Sequence, residues 1–169
     1  GTGGFGIYAD SCASFTPYQI WVITIFMFLF GVNFNIYYFS LMRKIKAAIS
    51  SSELWVYFGI MISAVGIVCM NISGLYNSFG ETLRHAAFQV SSIMTTTGFS
   101  STDFNLWPNL SKTVLLVLMF IGACAGSTAG GFKVSRLILI TKNCVSEVRH
   151  MIHPRSVTVV RYEGKAVEG

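Results

Sequence analysis

The chain has 169 residues, of which 53% are hydrophobic and only 11% are charged, and its mean hydropathy is +0.60. Soluble globular proteins carry about 25% charged residues, so this composition excludes an ordinary soluble enzyme. Disordered chains need low hydrophobicity and are excluded as well. The net charge of +5 would suit a nucleic-acid partner only if the basic residues formed a patch. The composition therefore predicts an integral membrane protein.

Three long apolar stretches predict the membrane segments. Residues 19–41 and residues 54–72 contain no charged residue, and each is long enough to cross a hydrocarbon core of about 30 Å as a helix. Residues 113–140 are apolar at both ends, but the run GACAGSTAGGF interrupts them. We therefore predict three membrane segments, of which the third is a broken helix.

Basic residues after the first and the third stretch predict the topology. They are Arg43, Lys44 and Lys46 after the first and Lys142, Arg149 and Arg155 after the third. Because lysine and arginine concentrate in cytoplasmic loops, both of these ends are expected in the cytoplasm and residues 75–108 outside. Topology thus accounts for the positive charge, and no nucleic-acid partner is expected.

The outer segment predicts a pore loop. It contains a candidate helix, residues 81–94, that begins after Ser78 or Gly80 with Glu81 in its first turn. At 1.5 Å per residue this helix reaches only about 21 Å, which is too short to span. The polar run TTTGFSSTDFNLWP follows it and leads into the third stretch. A span, a short helix, a polar loop and another span outline a re-entrant loop, which is tolerated only where it lines water or packs in protein.

The chain contains an internal repeat, which is typical of proteins built from repeated units. The segment TGGFGIYAD, residues 2–10, resembles TTGFSSTD, residues 96–103. Residues 16–31 resemble residues 107–122 in the same order. This alignment pairs Gly4 with Gly98 and Gly31 with Gly122.

The repeat predicts how the chain is organised. Residues 1–50 would form the filter loop and exit helix of one repeat, followed by a basic cytoplasmic linker. Residues 51–142 would form a complete helix–pore loop–broken helix repeat, and residues 143–169 a cytoplasmic connector to a following repeat. An ion path needs several such loops around an axis, so further repeats are expected beside these.

The two glycine-containing loops of the repeat predict an ion filter. To pass a dehydrated cation, a pore must replace the water shell with oxygen atoms, and a ring of backbone carbonyls does this. Gly4 and Gly98 permit a turn that a Cβ atom would hinder, and helix 81–94 directs its partially negative end at the loop. The alternative is a surface turn. The candidate ion-binding residues are Thr2, Gly3, Gly4 and Phe5 in the first copy and Thr95, Thr96, Thr97, Gly98 and Phe99 in the second, with the threonine hydroxyls adding to the carbonyl cage.

The glycine-rich run in the third stretch predicts a gate. Small residues let membrane helices pack closely, which is one interpretation of the run. The other is an unwound, movable stretch beneath the filter, with Lys133 either extending to the cytoplasm, which we favour, or holding the loop through its carbonyls. The candidate gate residues are Gly122, Gly126, Ser127, Thr128, Gly130, Gly131 and Lys133.

No catalytic site and no bound cofactor are predicted. Gly1, Gly3 and Gly6 match G-x-G-x-x-G, but a dinucleotide site needs a preceding strand and a following helix. Ser127 would need a base within hydrogen-bonding reach to act as a nucleophile, and no histidine lies in the predicted spans.

Structural roles are expected for two asparagines inside the first apolar stretch and for the four cysteines. Asn33 and Asn35 are expected to form hydrogen bonds with a neighbouring helix. The cysteines have no C-x-x-C spacing and are interpreted as small apolar side chains, not as disulfides or metal ligands; they are Cys12, Cys69, Cys124 and Cys144.

Three runs together resemble the membrane subunit of the bacterial Trk/Ktr potassium uptake family. They are SSIMTTTGFSSTDFNLWP, GACAGSTAGGFKVSRLIL and the later HPRSV. The resemblance implies an all-α integral membrane fold of four helix–pore loop–helix repeats around a pseudo-fourfold pore, of which this chain holds a part. It implies that Gly4 and Gly98 are the filter glycines of the second and third repeats, and that residues 122–131 form an intramembrane gate loop. Gly3 departs from the pattern, because Thr97 occupies the matching position.

The resemblance also implies a function and partners. Potassium would be the transported substrate, taken up across the bacterial plasma (inner) membrane by a multi-pass protein without a cofactor. The implied partners are the other repeats, a second copy in a homodimer, a cytoplasmic nucleotide-binding regulatory subunit and the lipid bilayer. The alternative function is a membrane scaffold or assembly subunit that never conducts.

Overall fold

The computed structural model describes residues 3–6, 11–43, 51–152, 161–162 and 165–166. In chain order these residues form α1 (Pro17–Phe30), α2 (Phe34–Leu41), α3 (Ser52–Ile72), α4 (Phe79–Met94), a 3₁₀ helix (Phe104–Leu106), α5 (Asn109–Ile121), α6 (Val134–Ile152), β1 (Arg161–Tyr162) and β2 (Lys165–Ala166). The two short strands pair antiparallel, with Arg161 opposite Ala166 and Tyr162 opposite Lys165. The predicted α-helical fold class is confirmed by all the larger elements.

The first apolar stretch, residues 19–41, is not one straight helix, and that prediction is wrong. α1 ends at Phe30, α2 begins at Phe34, and the two helices are bent by 88° relative to each other. The Asn33 side chain caps α2, because its Oδ1 accepts a hydrogen bond from the Asn35 backbone N–H at 2.9 Å. Such a cap stabilises a new helix start in place of continuation. Hydropathy alone does not register this signal.

Local sequence signals set the start of α1 and of α4. Thr16 and Gln19 form a capping box around the first turn of α1, with Pro17 at its first position. α4 begins directly after Ser78, with Glu81 in its first turn. The short helix predicted over residues 81–94 is therefore present and begins two residues earlier.

The helix lengths bear on which segments can cross a membrane. Within the described ranges, α3 is long and apolar enough by itself, and the bent pair α1–α2 passes the same test as a unit. α5 is a shorter apolar helix, and residues 122–133 separate it from α6. The predicted break in the third stretch is therefore confirmed, although α6 continues past residue 140 to Ile152.

α4 lies at the centre of the helical core. It contacts α1, α3 and α5, and its apolar side chains join those of α3 and α5 in one buried cluster. The opposite faces of the surrounding helices expose large apolar side chains, with Phe26 53%, Ile62 68% and Phe120 71% exposed. Exposed apolar faces of this extent are expected against lipid or further helices and not against water.

Gly31, at the bend after α1, has no room for a side chain. A Cβ atom there would lie 2.9 Å from Thr95 Cγ2 and closer still to Tyr57 Oη, which donates a hydrogen bond to the Phe28 carbonyl at 3.0 Å. We expect Gly31→Ala to lower the free energy of unfolding by about 1–3 kcal/mol, the usual cost of overpacking. The thermal midpoint of the purified full-length protein in detergent measures this effect.

Two further variants make this expectation specific. Gly59→Ala, on α3, meets no atom within 4 Å and should leave the midpoint unchanged or slightly raised. Adding Tyr57→Phe to Gly31→Ala should recover part of the loss, because the phenol oxygen is the nearest obstacle. An unchanged midpoint for Gly31→Ala would show that the bend can absorb a methyl group.

Candidate ion filter and gate

The candidate filter loop, residues 95–99, folds back on the last turn of α4. The backbone N–H groups of Thr97 and Gly98 donate to the Ser92 carbonyl at 2.8 and 3.3 Å, and the Ser92 hydroxyl donates to the Phe99 carbonyl at 2.5 Å. Gly98 has a φ of +78°, a conformation that glycine adopts without strain. α4 therefore ends at the loop, and its partially negative C-terminus lies next to it.

The three threonine hydroxyls of this loop have partners within the chain. Thr95 Oγ1 donates to the Ser91 carbonyl at 2.7 Å and lies 2.9 Å from Thr97 Oγ1. Thr96 Oγ1 accepts a hydrogen bond from the Gly130 N–H at 2.8 Å. In this arrangement the hydroxyls hold the loop in place, which leaves the backbone carbonyls as the main candidates for ion ligands.

The two copies of the repeat meet at their glycines. The N–H groups of Gly3 and Gly4 donate to the carbonyls of Thr96 and Thr97 at 3.3 and 2.6 Å. A Cβ atom on Gly4 would lie 2.7 Å from the Gly98 oxygen, and one on Gly98 would lie 2.9 Å from the Gly4 nitrogen. Glycine is therefore required on both sides of this contact. Each accepting carbonyl oxygen has a second lone pair.

The remaining candidates of the filter differ between the copies. Phe5 is 88% exposed, whereas Phe99 packs against the buried cluster that contains Ile20, Met27 and Phe88. Equivalent phenylalanines thus occupy different environments. Thr2, the first of the candidate residues, lies outside the described residues.

The candidate gate is a lobe whose two ends are held together. The Val134 N–H donates to the Ala123 carbonyl at 3.1 Å, and the Phe132 N–H donates to the Phe120 carbonyl at 3.2 Å. Gly122, with a φ of +69°, has no space for a Cβ atom, which would lie 2.6 Å from the Gly130 oxygen. Residues 124–130 therefore project from a closed base as a compact lobe.

The lobe, residues 124–130, contacts both the filter loop and the α1–α2 bend. Beside the bond from Gly130 to Thr96, the Cys124 N–H donates to the Gly31 carbonyl at 3.1 Å. The Thr128 hydroxyl donates to the Phe30 carbonyl at 3.3 Å. The break in the third stretch is thus packed against the break in the first, which the repeat aligns with it.

Two side chains stabilise the lobe, one from Lys133 just after it and one from Ser127 within it. Lys133 Nζ donates to the Ala129 carbonyl, so the expectation that Lys133 extends to the cytoplasm is wrong and the alternative that it holds the loop is the one observed. The unwound lobe leaves carbonyls without helical partners, and an ammonium group satisfies one of them. The Ser127 hydroxyl donates to the Cys124 carbonyl at 2.6 Å.

Glu53 is a site residue that the sequence analysis does not single out. It is only 2% exposed. Its Oε1 accepts a hydrogen bond from the Ala125 N–H at 2.7 Å, and its Oε2 accepts one from Asn33 Nδ2 at 3.5 Å. An acid in the first turn of a helix is ordinarily a favourable charge at the helix N-terminus, so its position in sequence does not distinguish it.

The contacts of Asn33 and the burial of three cysteines agree with structural roles for these residues. Asn33 contacts a neighbouring helix as predicted, through Glu53, and also caps α2. Cys12, Cys69 and Cys124 are buried and Cys144 is exposed, and no disulfide joins any of them within the described residues. Within the described part of the chain, no group of three or more histidine, cysteine or acidic residues could hold a metal ion.

A cluster of aromatic rings connects α4 to the segment that follows the candidate filter loop. The His85 ring, on α4, stacks on Tyr76 with centroids 5.0 Å apart, and its Nδ1 lies 3.0 Å from Ser101 Oγ. The Trp107 Nε1–H donates to Tyr76 Oη at 3.2 Å. The segment between the candidate filter loop and α5 is therefore attached to the first half of α4.

Comparison with known proteins identifies similar sequences. Residues 75–169 match the family model TrkH, described as cation transport protein. The chain is 33% identical over 171 residues to the Trk system potassium uptake protein TrkH of Salmonella typhimurium, covering 98% of this chain and 35% of that protein. It is 36% identical over 163 residues to the TrkH of Halomonas elongata, covering 94% and 34%. The chain thus spans about a third of the length of these relatives.

A solved structure has the same fold. The crystal structure of the potassium transporter TrkH from Vibrio parahaemolyticus matches with a TM-score of 0.88 and 29% sequence identity. The match covers 98% of this chain and 36% of that protein.

Proposed function

The chain belongs to the TrkH family of cation transport proteins, and on that basis we propose that it forms part of a channel-like path for potassium uptake. The filter would be built from residues 2–5 and 95–99, and the gate from the lobe with its base, residues 122–133. No covalent chemistry is involved. The protein would be a multi-pass protein of the bacterial plasma membrane, and potassium its substrate.

The observation that carries this proposal is the direct contact between the two glycine loops. The Gly4 N–H donates to the Thr97 carbonyl at 2.6 Å, so loops that are about ninety residues apart in sequence lie side by side. A filter assembled from several repeats of one polypeptide requires this adjacency. Their carbonyl oxygens would replace the water shell of the ion, and the C-terminus of α4 would add a favourable partial charge.

The gate assignment is supported by what the lobe touches. The Gly130 N–H donates a hydrogen bond to Thr96, so the lobe contacts one of the proposed filter residues directly. Lys133, Ser127 and the closed base hold it as a compact unit that can be displaced as a whole. A unit of this kind below a filter obstructs the path when in place and opens it when moved.

The proposed partners follow from the family and from the exposed surfaces. The other repeats of the polypeptide and the lipid bilayer would cover the apolar faces of α1, α3 and α5. A second copy and a cytoplasmic nucleotide-binding regulatory subunit would complete the uptake system. The alternative of a non-conducting scaffold is not favoured, because the relatives are named as potassium uptake proteins.

Rubidium or potassium uptake tests the proposal. The full-length gene product is expressed in bacterial cells that lack their own potassium uptake systems, and the same cells with an empty vector serve as the control. We expect uptake above the control that saturates with external potassium and restores growth at low potassium. Uptake equal to the control, with the protein present in the membrane, would contradict the proposal.

A further inference from the structure

The two oxygens of the buried Glu53 carboxylate accept hydrogen bonds from different parts of the chain. One bond comes from the Ala125 N–H in the lobe at 2.7 Å, and the other from Asn33 at the α1–α2 bend at 3.5 Å. A buried charge is costly unless hydrogen bonds compensate it. Both bonds go to elements that break a membrane segment, which points to a role beyond the stability of α3.

The α1–α2 bend and the lobe are joined around this carboxylate. The Phe34 N–H donates to the Gly126 carbonyl at 3.1 Å, and the Cys124 N–H donates to the Gly31 carbonyl at 3.1 Å. A Cβ atom on Gly126 would lie 3.0 Å from Asn33 Oδ1, so the lobe is seated closely on the cap of α2. The Glu53 carboxylate accepts one hydrogen bond from the lobe and one from the residue that caps α2.

We propose that Glu53 and Asn33 form a latch that holds the lobe in the position where it obstructs the ion path. Glu53 is a positioning residue, because it touches the gate and not the ion. Movement of the α1–α2 bend would withdraw Asn33, weaken the hold on Ala125 and release the lobe. The exit helix of one repeat would thereby control the gate of the next. This inference rests on the proposed function of the lobe as a gate.

A swapped pair of side chains tests the latch. Asn33→Asp keeps a good cap for α2 but places a second carboxylate against Glu53. Glu53→Gln keeps an acceptor for Ala125 but presents an amide to the Asn33 amide. When both substitutions are combined, the new amide at position 53 donates to the new carboxylate at position 33, so this contact is restored with reversed polarity, and the amide oxygen still accepts from the Ala125 N–H. Each single variant should release the lobe, and the double variant should hold it.

Two readouts are used, of which only one depends on transport. The first is rubidium uptake by the full-length protein, which should rise on the order of tenfold in each single variant, as expected for the loss of a hydrogen bond to a charged group. The second is alkylation of Cys124 by a maleimide in a protein where it is the single cysteine. Cys124 is fully buried, so release of the lobe should speed its alkylation. The double variant should return both rates towards wild type.

Controls separate the latch from general loss of charge or of folding. Glu81→Gln removes an acid from a surface pair with Arg84, at 4.0 Å, and should change neither readout. Asn33→Ser keeps a capping hydroxyl and loses the amide donor without adding a charge. It therefore provides a milder release if Asn33→Asp does not accumulate in the membrane.

The outcomes are decisive for the latch and distinguishable from failure of the proposed function. The latch is wrong if rubidium uptake and Cys124 alkylation are as fast in the double variant as in the single variants. It is also wrong if neither Glu53→Gln nor Asn33→Ser changes the rate of Cys124 alkylation. If alkylation responds to Asn33→Ser, which leaves the Glu53 charge beside Cys124 in place, while even the wild type fails to transport, the hold on the lobe is supported and the potassium function is wrong.

Discussion

Replacing Gly98 with serine is expected to lower potassium uptake by at least about tenfold and to let sodium compete. The φ of Gly98 is +78°, and a Cβ atom would lie 2.9 Å from the Gly4 nitrogen and 3.0 Å from its Cα. A side chain in this conformation costs on the order of 1–3 kcal/mol, and about 1.4 kcal/mol in a barrier is tenfold in rate. The loop would shift, and the carbonyls of the proposed filter would lose the spacing that a dehydrated potassium ion requires. Rubidium uptake with and without added sodium measures both effects.

The control for this variant is a serine at an unconstrained glycine. Gly66 lies on α3, and a Cβ atom there would meet no atom within 4 Å, so Gly66→Ser should leave uptake and ion preference unchanged. Membrane abundance is matched between variants. If Gly98→Ser reduces only abundance and leaves the ion preference of the remaining protein intact, the glycine serves folding and the scaffold alternative gains support.

Deleting residues 126–130 is expected to raise potassium flux on the order of tenfold, since several hydrogen bonds of about 1 kcal/mol each hold the lobe. The deletion removes the bond from Gly130 to Thr96 and the bond from Phe34 to Gly126. The base of the loop keeps the bonds from Val134 to Ala123 and from Phe132 to Phe120. The preference for potassium over sodium should not change, because the hydrogen bond that the filter loop loses is to the Thr96 side chain, while the backbone bonds from Thr97 and Gly98 to the Ser92 carbonyl remain.

A substitution within the same lobe serves as the matched control. A Cβ atom on Gly130 would approach Thr96 Oγ1 no closer than 3.6 Å, so Gly130→Ala should transport like wild type. If Gly98→Ser changes the preference for potassium over sodium and the deletion changes only the potassium flux, the filter is assigned to the glycine loops and the gate to the lobe. A deletion that abolishes uptake at normal abundance would contradict the gate.

Much of the fold can be predicted because its signals are local. The start of α4 follows from Ser78 and Glu81, and its short length follows from the polar run after it. The break after α5 follows from a run of glycines that no stable helix accommodates. The adjacency of Gly4 and Gly98 agrees with the internal repeat, which compares segments and needs no coordinates.

Two local sequence signals indicate the bend after α1, whereas the hydropathy pattern predicts an unbroken helix there. The repeat aligns Gly31 with Gly122, and each of these glycines ends a helix. Asn33 is a favoured capping residue, but hydropathy favours one uncharged span over residues 19–41. The Tyr57 hydroxyl that fills the space beside Gly31 comes from another helix, so the tightness of the bend depends on tertiary contacts.

The sequence by itself determined the membrane class, the repeat, the short helix α4 and the broken third stretch, because hydropathy, spacing and glycine content act over neighbouring residues. Only the tertiary structure decided which groups meet. It paired the hydroxyl of Thr96 with the lobe, turned Lys133 onto a carbonyl and buried Glu53 between two helix breaks. Polar groups that are withdrawn from water need hydrogen-bond partners. The partners of Thr96 and Glu53 lie 34 and 72 residues away in the chain, and such proximity in space cannot be read from the order of residues.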